Sequence, residues 1–139
     1  MDIKELMVGD LFRVNRDKLC IKKDTIVQVR RIDGDDKLEE YGLFGSAHCH
    51  PLDEKQFDGG IWLDYLDPIP LTPEILEKNG FEEFDGWRIL DMDDVEIRWI
   101  GTTLEISGSH GNMELPNVQC IHELQHALRL CRIDKEIVL

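Results

Sequence analysis

Hydrophobic and polar positions alternate over short stretches in the first half of the chain and take up a helical spacing near its end. Leu11-Phe12-Arg13-Val14 follows the turn-forming pair Gly9-Asp10, and Thr25 to Val29 is rich in β-branched residues, so both stretches are predicted strands. Asp33-Gly34-Asp35-Asp36 reads as a turn between strands. It does not fit a calcium loop, because Phe44 occupies the position where the last ligand, a glutamate, belongs. Leu43 to Ala47 and Gly60 to Leu66 supply further strands. Short strands crowded into residues 1–70 predict a small closed or half-closed barrel. The opening Val8-Gly9-Asp10, followed by a strand, is a common start of SH3-like barrels.

Leu66 to Leu71 carries Pro68 and Pro70, which stiffen both themselves and their predecessors, so this stretch is read as an extended connector. A short helix is signposted after it. Thr72 is placed to cap, Pro73 to open the first turn and Gly80 to end it, with Ile75 and Leu76 turned inward. Such a helix needs packing, to which Phe81 and Phe84 are expected to contribute. Trp87 to Leu90, Val95 to Ile100 and Thr103 to Ser107 read as three strands, joined by turns at Asp93-Asp94 and Gly101-Thr102. Gly108 to Asn112 reads as a polar loop. The last element is a helix over 117–131, with Asn117 as its cap, Ile121, Leu124, Leu128 and Cys131 along one face, and Arg129 and Arg132 in its last turn. The predicted fold class is α+β. An SH3-like β barrel (1–70) precedes a unit (71–139) in which a short helix leads to a three-stranded antiparallel sheet, with the C-terminal helix packed on its Trp99 face.

That helix contains His122-Glu123-Leu124-Gln125-His126, which matches the H-E-x-x-H of zinc peptidases. In that reading His122 and His126 hold zinc and Glu123 is the general base. At about 100° per residue both histidines lie about 160° from Leu124, on opposite sides of it, so they are expected on the wet face. A third protein ligand is not evident from the order of residues. Arg129 and Arg132 stand where the extended motif needs glycine and histidine, while His110, His50 and Asp134 are the remaining candidates. His48-Cys49-His50 is a second cluster. If extended, it points both imidazoles to one face and the thiol to the other, a spacing able to hold zinc or copper. With no further ligand pair near it in sequence and Pro51 following, an ordinary strand end or loop at the surface is the expected reading. Ser107 and Ser109 lie near His110 without a G-x-S-x-G elbow, so they do not point to a hydrolase.

The composition narrows the partners. The chain of 139 residues is 42% apolar and 32% charged, which describes a folded protein. Its net charge of −13 disfavours general binding to nucleic-acid phosphates or to an anionic membrane surface. The charge is uneven. From Arg13 to Arg31 seven basic residues face two acidic ones, whereas Ile32 to Pro70 holds ten acidic and two basic residues. Arg13, Lys22, Lys23, Arg30 and Arg31 are therefore a candidate interaction surface, with weak binding of single-stranded RNA as a further reading. The start is charged and lacks a leader-like apolar run, and no stretch reaches the length of a membrane span. Cys20, Cys49, Cys120 and Cys131 form no close pair; the last two are predicted on one helix about 16 Å apart, beyond disulfide reach. A reducing cytoplasm is the expected compartment.

Two stretches, DPIPLTPEILEKNGF within Asp67–Phe81 and IHELQHALRLCRIDKEIVL over Ile121–Leu139, resemble an uncharacterised family of small bacterial prophage-type proteins. In that family a VGD-type β unit, here Val8-Gly9-Asp10, leads to a connector helix, and a C-terminal helix carries an H-x-L-Q core. The resemblance implies that His122-Glu123-Leu124-Gln125 is the family element, and it attaches no activity to it. The expected function is a non-catalytic protein-interaction or structural protein of mobile-element origin, without cofactor, meeting another protein. The alternative is a zinc-dependent hydrolase using His122, Glu123 and His126.

Overall fold

The computed structural model describes residues 5–17, 21–38, 43–53, 58–109 and 111–139, with backbone alone at 34–38 and 43–44. It divides into two compact units, Met1–Ile69 and Pro70–Leu139.

The first unit is an antiparallel sheet of five strands: β1 (Leu11–Val14), β2 (Ile26–Leu38), β3 (Leu43–Pro51), β4 (Gly59–Trp62) and β5 (Leu66–Pro68), in the order β4-β3-β2-β1-β5. Alternation sends Phe12, Val14, Val27, Val29, Ala47, Cys49 and Ile61 to one buried face. Leu6, Ile21, Leu63 and Leu66 complete that core. Val8-Gly9-Asp10 is a structural turn. Gly9 takes φ 95°, its N–H donates to Val29 O at 2.7 Å, and the fully buried Asp10 carboxylate accepts from Met7 N at 2.8 Å.

Three expectations change in this unit. Asp33-Gly34-Asp35-Asp36 is not a turn but lies inside β2, where register shifts between Val29 and Lys37 absorb extra residues as bulges. The ladder between β2 and β3 runs on to Leu38 opposite Leu43. Gly60 to Leu66 is not one strand. A single 3-10 turn, Leu63–Tyr65, carries the chain from the edge at β3 to the far edge at β1, where Leu66 pairs with Val14. No pairing of β4 with β5 closes this sheet into a barrel among the described residues.

The second unit is α+β. Its helix α1 (Pro73–Lys78) forms as the local signals dictate: Thr72 Oγ1 accepts from Ile75 N at 3.3 Å and Pro73 opens the first turn. At its end Gly80, at φ 91°, donates to Glu77 O and Phe81 donates to Leu76 O. This is a Schellman closure whose apolar partners Leu76 and Phe81 are both buried. So short a helix gains further support from the last residues of the chain. The buried Asn79 side chain donates to Val138 O at 2.8 Å and accepts from Val138 N at 2.7 Å.

The sheet that follows has five strands rather than the expected three: β6 (Glu82–Phe84), β7 (Trp87–Met92), β8 (Val95–Ile100), β9 (Thr103–Gly108) and β10 (Gly111–Leu115), in simple meander order. Asp85 and Gly86, both at positive φ, turn β6 into β7. Phe84 thereby stands on an edge strand, 71% exposed, and does not pack as expected. The expected loop over Gly108 to Asn112 is instead a hairpin, with Gly108 paired to Gly111. Ile97, Leu104 and Ile106 form the buried face on the Trp99 side.

Helix α2 spans Ile121–Leu130, not 117–131. Its approach is tied down in extended form. Val118 N donates to Thr102 O, Trp99 Nε1 donates to Val118 O, Leu71 N donates to Gln119 O, and Pro70 bridges to Cys120. Asn117, at φ 63°, therefore precedes the helix, and Cys120 is the N-cap. At the other end Arg132 is not in the last turn. It takes the left-handed C′ place (φ 56°) of a second Schellman closure, with Ile133 N donating to Leu128 O at 2.8 Å.

Candidate functional site

The H-E-x-x-H residues occupy the first half of α2, and the structure gives each of them a specific setting. Ile121, His122, Leu124, Gln125, Ala127 and Leu128 are all buried. At about 100° per residue these positions cover roughly 220° of the helix, centred between Ile121 and Leu128 rather than on Leu124. The expectation that both imidazoles meet water is therefore corrected. His122 is 7% exposed and His126 is half-buried, their rings edge to face at 5.7 Å between centroids. The exposed centre of the helix falls at Leu130, 72% exposed.

Glu123 is engaged in starting the helix. Cys120 makes no side-chain cap, so the carboxylate of Glu123 reaches back and accepts from Gln119 N at 2.9 Å. It also accepts from the Cys120 thiol, which burial first, and the nearby carboxylate second, push above the ordinary thiol value. This is the reach-back half of a capping box, shifted by one residue. A carboxylate so placed satisfies the N–H of the residue before the N-cap, and the helix dipole favours its charge in the first turn.

His122 and His126 can present two nitrogens to a metal, yet no three His, Cys, Asp or Glu groups stand together as a ready metal cage among the described residues. Asp134 is exposed beyond the helix, His50 belongs to the other unit, and His110 lies outside the described residues. Beside the end of α2, Cys131 and Ile133 share a cleft of about 290 Å³ with Val95, Ile106 and Met113 of the sheet. The Cys131 thiol there is pushed up by burial, which disfavours the thiolate that nucleophilic chemistry needs. Cys20 lies outside the described residues.

The basic residues gather around β1 and β2. Arg13 is the exposed residue of β1 and sits opposite Ile26, while Arg30 and Arg31 are exposed on β2. Lys22 and Lys23 are exposed in the turn leading into β2, a turn held by Asp17, whose carboxylate accepts from Lys23 N at 2.9 Å. Arg31 pairs with Asp33 at 2.6 Å.

One group escaped the sequence reading. Asp58, just before β4, lies beside both histidines of β3: its carboxylate contacts His50 Nδ1 directly and lies 3.8 Å from His48 Nε2. The signal was weak, because ten residues separate Asp58 from His48 and only the β3–β4 register brings them together.

No family model, no curated protein and no solved structure matches this chain. No helix among the described residues is long and apolar enough to cross a membrane.

Proposed function

We propose that the protein is a non-catalytic interaction or structural protein, of the mobile-element origin that its resemblance implies, acting in the cytoplasm on another protein. The observation that carries this reading is the employment of Glu123 as a helix cap, next to a His122 enclosed in the helix packing. Both residues then have structural reasons to be present, and the match to a zinc-peptidase motif needs no catalytic explanation. The proposed binding scaffold is a small SH3-like barrel in the first unit; the pairing of β5 with β1 and the single buried core of that unit are what support it. The binding surface in this proposal is the cationic surface made by Arg13, Lys22, Lys23, Arg30 and Arg31, which suits an acidic segment of a partner.

The test compares wild-type protein with the charge reversal Lys22→Glu, Lys23→Glu, Arg30→Glu by cross-linking in host extract. A partner captured by the wild type, lost in the variant and weakened by salt is the expected result. The rival zinc hydrolase predicts otherwise. Zinc retained by untagged protein and lost in His126→Ala but not in His50→Ala, with peptide cleavage lost in Glu123→Gln, would overturn the proposal.

A further inference from the structure

We infer that His48, His50 and Asp58 form a binding site for a divalent transition-metal cation, with zinc matching the donor set. Strand alternation is the first reason. Cys49 is fully buried in the core of the first unit, which forces His48 and His50 to the opposite, outer face of β3. Their neighbour on each side is fixed, because β3 is paired to both β2 and β4. Two imidazoles at this spacing stand about 7 Å apart at the backbone, with ring nitrogens able to converge on one ion.

The third donor comes from the residue just before β4. His48 sits opposite Gly60 and Cys49 opposite Gly59, so Asp58 continues the register to the place across from His50. Direct cross-strand neighbours have Cβ atoms about 5 Å apart, within reach of a shared ligand. The carboxylate already lies between the rings, at one oxygen to each histidine. Gly60 leaves the remaining side open: a Cβ there would meet nothing within 4 Å. The three side chains are 34%, 36% and 48% exposed, so an ion has access from solvent.

Among the described residues no three such groups already stand as a cage, and Asp58 contacts His50 directly. Coordination replaces that contact by rotation of three exposed side chains while the strands stay in place. Two nitrogens and one carboxylate oxygen are donors suited to zinc, and three protein ligands leave a fourth tetrahedral position for water. Arg31 of β2 stands in register with His48, and its guanidinium is paired to Asp33. This cluster is separate from the His122–His126 pair, which lies in the other unit.

The experiment titrates untagged protein with zinc chloride at neutral pH, reading calorimetry together with the ring-proton resonances of His48 and His50. Saturable one-to-one binding that shifts both sets of resonances is expected. His48→Ala or His50→Ala weakens it by more than about 100-fold, Asp58→Asn by about 10-fold, and His126→Ala leaves it unchanged. Circular dichroism checks that each exposed variant keeps its fold. Ring resonances that do not move up to about 1 mM zinc overturn the inference, as does binding that survives His48→Ala together with His50→Ala.

Discussion

On β3, His48 and His50 stand two residues apart, about a third exposed, with the Asp58 carboxylate beside them. On α2, His122 and His126 stand four apart, and His122 is 7% exposed. Both spacings put two imidazoles on one side of their element. Only the helical pair matches a named motif, yet both rings of the strand pair are about a third exposed and lie beside the Asp58 carboxylate. Spacing selects a face; what covers the face decides its chemistry. On β3 the neighbour is the edge strand β4, which begins with Gly59-Gly60, and on α2 the packing extends over more than half of the helix.

The contrast is broken most severely at His122. His122→Asp places a carboxylate in a buried position and is expected to lower stability by about 3 kcal/mol in urea denaturation. A loss below about 1 kcal/mol would mean that the ring is not enclosed, and the two pairs would then be alike. At the neighbouring position Glu123→Ala removes the reach-back cap, for an expected loss of about 1 kcal/mol. Glu123→Gln, which still offers an oxygen to Gln119 N, should recover most of it, and no difference between the two would deny the capping role. On the other element His50→Ala, in protein without metal, should cost less than about 0.5 kcal/mol, since its contact with Asp58 is exposed.

The thiols flanking α2 give the smallest effect and a sign that can be checked. Cys120 and Cys131 are pushed above the ordinary value of 9.0, mainly by burial. Ionisation above that value therefore favours the unfolded chain. Their contribution to stability is whole below it and is lost as pH rises through their folded values. The decline of stability with rising alkaline pH should flatten in Cys120→Ser with Cys131→Ser; an identical slope would contradict the shifts.

Much of the fold is legible where the cause is local. The bounds of helix α1 can be read from Thr72, Pro73 and Gly80, because caps and a left-handed stop act within a few residues. The turns at Asp93-Asp94 and Gly101-Thr102 are of the same kind. Asp85-Gly86 carries an equally plain hairpin signal, and overlooking it left β6 unseen and misplaced Phe84. The β3 alternation that sets Cys49 against its two histidines was also readable from the order of residues.

By itself, then, the sequence determined the α+β class, the short helix with its caps, most strand cores and, given an extended chain there, the shared face of His48 and His50. Tertiary structure alone decided where α2 begins, because hydrogen bonds with Thr102, Trp99 and Leu71 hold 118–120 extended. It decided that the turn-like Asp33 to Asp36 stays within a strand, since pairing with β3 outweighs local turn preference. It also decided that His122 is enclosed and that Asp58 meets β3. The physical reason is common to all of these: each depends on groups distant in sequence competing for the same backbone or the same space, and residue order does not rank such competitors.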